Sequence, residues 1–189
     1  MINLAVVGLG HWGPNLARNI AALPNARLHT LCDVQPKLLE KLARVHTGVK
    51  LQQDYEAVLA DSEVDGVIIA TPVSTHFELA SAALKAGKHV LVEKPLADSS
   101  EHCRELIALS EKAGLTLMVG HVFLFNAAVR KIKEYLEAGE LGEIYYIYSQ
   151  RLNLGIIRQD VNALWNFAPH DVSIFQYLLG NPQPVSVRR

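Results

Sequence analysis

Apolar and polar positions follow two rhythms along this chain. Short runs rich in apolar residues recur at residues 2–7, 27–33, 49–51, 64–70, 89–92 and 115–119. Runs of that length without alternation, bounded by glycines or acids, predict strands buried on both faces. Between them, residues 11–23, 36–46, 54–60, 74–86 and 98–113 carry apolar side chains at helical spacing. Leu16, Ile20 and Leu23 share one face of the first, and Pro36 suits the first turn of the second. Asp54 is placed to cap the third, Ser74 or Thr75 the fourth, and Gly87 and Gly114 close the last two. Strand and helix alternating with short turns predict a parallel sheet covered on both faces, a doubly wound α/β domain over 1–120.

After residue 120 the rhythm changes. Residues 124–138 predict a helix ended by Gly139, and the tyrosine- and isoleucine-rich run 143–152 predicts a long strand. Residues 154–168 read as irregular, 170–179 as a helix stopped by Gly180-Asn181-Pro182, and V-S-V-R-R as the start of another strand. The region 121–189 is therefore expected to be a partial α+β domain for substrate binding or oligomerisation, with no low-complexity linker before it.

Composition adds little beyond a soluble class. Half of the residues are hydrophobic, a fifth are charged, and the formal net charge is −1 without a run of one sign. No nucleic-acid surface or membrane patch is expected from that balance. No apolar run approaches the ~20 residues that span a bilayer, and the first residues lack the pattern of a secretion signal. Cys32 and Cys103 form no C-x-x-C and lie at no ligand spacing. They are expected to be reduced thiols of a cytoplasmic protein, with no metal site.

The first strand runs into G-L-G-H-W-G, carrying Gly8, Gly10 and Gly13, and the second ends on Asp33, 20 positions after Gly13. In such a loop the first glycine permits a tight turn. The second lets a pyrophosphate approach the backbone, and the third lets helix pack on strand. The helix N-terminus offers free N–H groups to the phosphates. Asp33 can accept hydrogen bonds from an adenosine ribose, and its charge repels a 2′-phosphate. The expected cofactor is NAD, with NADP less favoured. His11 and Trp12 lie in the loop, and Trp12 is expected to edge the cofactor.

Strand 89–92 leads into Glu93-Lys94-Pro95, at the sheet edge where open α/β folds bind ligands. The preceding strand ends in A-T-P-V-S-T-H at the same edge, bringing Thr71, Pro72 and His76 toward the cofactor. With G-L-G-H-W-G, Asp33, A-T-P-V-S-T-H, V-E-K-P-L, V-G-H-V-F-L-F-N and L-W-N-F-A-P-H-D, the chain resembles the glucose-fructose oxidoreductase/inositol dehydrogenase (Gfo/Idh/MocA) family over nearly its whole length.

That resemblance implies an N-terminal NAD(P) domain and a C-terminal domain on a large open sheet, acting on a carbinol of a sugar, polyol or sugar nucleotide. Glu93 and Lys94 match the family's E-K-P, and Lys94 matches its substrate-contacting lysine. His170 matches the histidine that commonly serves as acid/base. Relatives often carry an aspartate four residues before that histidine, and here the position is Asn166. The family's second domain also needs more strands than fit after residue 143, so the chain is expected to be truncated there, or to complete its core as a homo-oligomer through the C-terminal sheet.

The chemistry needs a hydride acceptor, a base for the hydroxyl proton and a group that stabilises the developing carbonyl oxygen. His170 is the natural base and Lys94 the natural stabiliser, although a lysine of lowered pKa also serves as base. Asn166 cannot ionise, but it can orient a ring or a hydroxyl. If the alignment slips, Asp160 or Asp171 takes the acid's place. Otherwise Asp171 is expected to favour a helix N-terminus. His121 is expected to line the crevice. The segment 151–162 resembles members associated with nucleotide-sugar pathways, and Arg151 and Arg158 are candidates to meet phosphates. The tyrosines Tyr145, Tyr146 and Tyr148 are expected in sheet and interface. Two functions are thus weighed: a dehydrogenase of sugars, sugar nucleotides or polyols, and an NAD-binding module without turnover.

Overall fold

The structure is a computed structural model that describes residues 1–152 and 162–188. The chain folds as two compact units, Met1–Gly120 and His121–Arg189.

In the first unit the elements are β1 (Ile2–Val7), α1 (Gly13–Ala21), β2 (Ala26–Cys32), α2 (Pro36–Ala43), β3 (Lys50–Gln52), α3 (Tyr55–Ala60), β4 (Gly66–Ile69), α4 (His76–Lys85), β5 (His89–Val92), α5 (Ser100–Ala113) and β6 (Leu117–Val119). A short 3₁₀ turn, Val73–Thr75, precedes α4. The strands form one parallel sheet in the order β3-β2-β1-β4-β5-β6. Such a sheet has two buried faces, and side chains along a strand alternate between them. Ala5, Val7, Val67, Ile69, Val90 and Val92 point to one face, beneath Val58 and Leu59 of α3, Ala80, Ala83 and Leu84 of α4, and Leu106 of α5. Val6 and Ile68 point to the other, against Ala17 and Ile20 of α1 and Leu39 and Leu42 of α2. This is the doubly wound α/β class expected. The order reverses between β1 and β4, which opens a crevice at their carboxyl ends.

Local chemistry sets the helix starts. Asp54 caps α3 by accepting from Glu56 N at 3.0 Å, and Ser99 caps α5 by accepting from His102 N at 3.1 Å. Thr75 stands at the α4 cap, but its hydroxyl bonds elsewhere. Lys88, just after α4, is only 7% exposed, and its ammonium donates to the Asp61 and Val64 carbonyls, both at 2.8 Å. It ties the end of α4 to the turn before β4. Lys88→Met keeps the stem but takes the ammonium donor from both carbonyls, leaving Asp61 O with only the Val64 N–H at 3.2 Å. It should lower stability by about 2–4 kcal/mol, read as a lower urea midpoint with an unchanged slope.

The second unit contains a 3₁₀ turn (Val122–Phe125), α6 (Ala127–Glu137) and α7 (Ala163–Leu179). It departs from the sequence reading in two places. Residues 143–152 form no strand, and neither do the described residues after 182. Tyr145, Tyr146 and Tyr148 stand 84%, 84% and 74% exposed. A β-rich composition makes a strand only where a neighbour completes the ladder, and no described segment of this unit does so. The last helix also starts earlier than expected. Asn162 caps it, its side chain accepting from Trp165 N at 2.9 Å, so Pro169 falls inside α7 instead of before it.

Candidate functional site

The crevice at the reversal of strand order is built by three loops, following β1, β4 and β5. In the first, Gly8 has φ +89°, and a Cβ there would lie 2.8 Å from the Ala70 carbonyl carbon and oxygen. That left-handed conformation and that close approach leave room for glycine alone. At Gly13 a Cβ would fall 2.1 Å from the Gly8 carbonyl oxygen, so α1 starts against its own loop. Gly10 differs. It is exposed, and a Cβ would meet nothing within 4 Å. Two glycines thus serve the packing, while the middle one faces open space. Above it α1 begins with no acid in its first turn, so the positive end of the helix is available to an anion. This cradle fits a dinucleotide pyrophosphate.

Asp33 sits just past β2. Its Oδ2 accepts from Leu9 N at 2.7 Å and its Oδ1 from Gln35 N at 2.8 Å. The carboxylate therefore braces the glycine loop, and each oxygen keeps a lone pair for a ribose hydroxyl. His11 and Trp12 are exposed on the loop, ring edge to face at 6.0 Å. Their exposure leaves both rings accessible to a ligand at the loop.

After β4, the Thr75 hydroxyl contacts the Thr71 hydroxyl and the Pro72 carbonyl, both at 2.8 Å, closing a tight turn at the crevice. His76, expected to border the cofactor, lies beneath the loop surface. It is 1% exposed beneath these loops, with Nδ1 2.8 Å from the Pro95 carbonyl and Nε2 3.0 Å from that of Thr71. The third loop is Glu93-Lys94-Pro95. Glu93 N donates to the Ile69 carbonyl at 2.9 Å, carrying the ladder one residue past β5. Burial pushes the Glu93 carboxyl up, partly offset by the Lys94 backbone N–H and the Lys94 charge. Lys94, half-buried, follows at the same edge.

Sequence reasoning missed Gly120, which follows β6. A Cβ there would lie 3.2 Å from all three atoms of the Glu93 carboxyl group, so this glycine makes room for the acid of E-K-P. The only sequence signal was a glycine closing an apolar strand.

In the second unit, His121 precedes the 3₁₀ turn, and burial pushes its imidazole pKa down, toward the neutral form. Its Nδ1 is buried and finds no hydrogen-bond partner among the described residues. His170 lies in the middle of α7, its ring edge-on to Phe123 at 4.7 Å. Asn166 lies four residues earlier on the same helix, one turn away on the same side. Asp171 does not sit at a helix N-terminus. It takes Arg151 in a paired contact, Nε to Oδ2 at 2.7 Å and Nη2 to Oδ1 at 3.1 Å, and the Ser149 hydroxyl at 2.8 Å. Arg151 and Ser149 hold the Asp171 carboxyl below its ordinary range. Arg151 also lies over the Phe123 ring at 5.0 Å, so its charge is already engaged where a substrate phosphate was expected. Arg158 and Asp160 lie outside the described residues.

Elsewhere, burial pushes the Cys32 thiol up to about 12, an unreactive environment. His29, Asp61 and Glu63 bring ligand-type atoms within 4.8 Å of one another, and the Lys50 ammonium already bonds both carboxylates, at 2.9 and 3.0 Å.

A glycine cradle opening a helix, an acid at the end of β2 and a ligand edge at the reversal of strand order define a dinucleotide-binding Rossmann domain. The chain belongs to the Gfo/Idh/MocA family: a match to the family described as "Oxidoreductase family, NAD-binding Rossmann fold" covers residues 2–121. It is 32% identical over 185 residues to scyllo-inositol 2-dehydrogenase (NAD(+)) of Bacillus subtilis, covering 95% of this chain and 54% of the relative. It is likewise 32% identical over 186 residues to UDP-N-acetylglucosamine 3-dehydrogenase of Acidithiobacillus ferrooxidans, covering 97% and 56%. Among solved structures, scyllo-inositol dehydrogenase from Lactobacillus casei with bound NAD(H) and scyllo-inositol superposes with a TM-score of 0.84 at 25% identity, covering 95% of this chain and 56% of that one. The chain thus spans about half the length of the curated relatives it matches. No described helix is long and apolar enough to cross a membrane.

Proposed function

We propose that this chain is the cofactor-binding portion of an NAD-dependent dehydrogenase acting on a hydroxyl carbon of a sugar, sugar nucleotide or polyol. The observation that carries the reading is the placement of Lys94 at the carboxyl end of β5, on the same edge as the open glycine cradle. Gly8, Gly10 and Gly13 with the α1 N-terminus hold the pyrophosphate, and Asp33 takes the adenosine ribose. Thr71, Pro72 and Glu93 shape the edge beyond. Bound NAD supplies the hydride acceptor. Lys94 places a cation beside the oxygen that becomes a carbonyl, and His170 takes the hydroxyl proton, with Asn166 orienting it from one turn away. Polyol and sugar-nucleotide substrates are both represented among the relatives, and at Arg151 a phosphate would share the guanidinium with Asp171.

Preference for NAD over NADP follows from the Asp33 charge. Asp33→Asn keeps an acceptor for Leu9 N–H but removes the charge. It should narrow the NAD/NADP affinity ratio by about tenfold or more, measured by calorimetric titration of both cofactors.

A second reading, a nucleotide-binding module without turnover, is favoured by Asn166, an amide that cannot ionise one turn before His170. One experiment separates the two: NAD binding measured beside NAD reduction with inositols, hexoses and UDP-sugars. Reduction above background establishes the dehydrogenase. Micromolar binding without reduction across the panel establishes the module.

A further inference from the structure

We propose that His76 is a positioning residue, a buried strap that ties the loop after β4 to the loop after β5 and so sets where Lys94 stands. Unlike the groups of the crevice surface, its ring touches no open space. At 1% exposure it lies under both loops, one ring nitrogen 2.8 Å from the Pro95 carbonyl and the other 3.0 Å from the Thr71 carbonyl. These two carbonyls belong to residues beside the chemistry. Pro95 follows Lys94 directly, and Thr71 is held through its hydroxyl to Thr75.

The reach of the ring suits the task. The carboxyl ends of β4 and β5 are neighbours in the ladder, and Glu93 N–H to Ile69 is the last ladder bond between them among the described residues. Histidine is the first residue of α4, so its backbone is fixed by the helix while its ring reaches the Pro95 carbonyl. A carbonyl only accepts, so the strength of each tie depends on a ring N–H. A neutral ring carries one N–H and the shorter contact is at Nδ1, so we assign the proton to the Pro95 side. Nε2 then only packs against the Thr71 carbonyl, and the ring is joined to the β4 loop through its own backbone at the start of α4. The strap thereby acts on the Lys94 loop first. This inference rests on the dehydrogenase reading for its consequence, but the strap itself does not depend on it.

Three substitutions test it. Asparagine places an amide nitrogen near the position of Nδ1, glutamine near that of Nε2, and phenylalanine fills the space with no donor. Hydrogen exchange is followed in the peptides over 70–77 and 93–99 of the full chain without cofactor, beside NAD affinity. The proposal expects His76→Phe to speed exchange over 93–99 by about tenfold and to weaken NAD by a similar factor, the loss of one buried hydrogen bond. His76→Asn should restore both to within about threefold, and His76→Gln should not. Ring ¹⁵N shifts of the native protein should show a protonated Nδ1.

Exchange and affinity unchanged in His76→Phe overturn the strap. Rescue by glutamine equal to rescue by asparagine does so too, since the effect would then not run through the Nδ1 position, and an Nδ1 without a proton refutes the assigned tie. If His76→Phe does not fold, the asparagine and glutamine variants carry the comparison alone. If the native chain binds no NAD, the functional reading fails while the exchange pattern still decides the strap.

Discussion

Gly13→Ala should nearly abolish NAD binding and destabilise the first unit by about 3–5 kcal/mol, beyond what most single substitutions cost. The added methyl would stand 2.1 Å from the Gly8 carbonyl oxygen, and both partners are backbone, so no side chain can swing aside. Relief requires α1 to lift from β1, which uncovers Ala17 and Ile20 from the core and moves the helix terminus away from the phosphates. Gly10→Ala is the matched comparison. Its methyl meets nothing within 4 Å in the unliganded protein, so stability should stay within about 1 kcal/mol of the native value, while NAD affinity falls as the methyl occupies the pyrophosphate's place. Thermal or urea unfolding beside calorimetric NAD titration reads both. A Gly13→Ala protein of native stability would refute the packing described for the loop.

The second large effect is expected at Lys94. Lys94→Ala should lower turnover by about 10²- to 10⁴-fold, the range typical of a lost acid/base or electrostatic catalyst, with NAD affinity held within a few-fold. Lys94→Arg keeps the charge but replaces a compact ammonium with a broad planar group. It should recover only part of the rate, because a bulky guanidinium does not fit a site shaped for a point charge. Single-turnover reduction of NAD at saturating substrate is the measurement. Equal rates in native and Lys94→Ala chains would move the catalytic assignment to the second unit, with His170 first in line.

Much of the first unit was legible because a parallel sheet writes itself into unbroken apolar runs. Val67-Ile68-Ile69 and Val90-Leu91-Val92 leave no polar face, and only burial on both sides allows that. The second unit resisted for the opposite reason. The residues 144–148 have the right composition for a strand, but strand formation is a property of pairs, and composition cannot name an absent partner. Pro169 misled as a boundary because the signal that starts α7, Asn162, lies seven residues upstream and needs no apolar periodicity to work. At the candidate site, the glycines, Asp33 and Lys94 could be read from spacing and from strand ends. The burial of His76 and the contact of Gly120 with Glu93 could not, because each depends on segments far apart in the chain: 76 with 95, and 120 with 93.

The brace from Asp33 to Leu9 also bears on attempts to redesign cofactor choice. A serine or arginine placed at 33 to welcome a 2′-phosphate would unpin the loop that every dinucleotide must use, since Leu9 N–H would lose its acceptor at 2.7 Å. Affinity for both cofactors would then fall together, and the swap would look like simple damage. Discrimination and loop order are coupled through one carboxylate, so an exchange by a residue that, unlike asparagine, cannot reach Leu9 N–H needs two changes. One alters the charge at 33, and the other gives Leu9 a new acceptor.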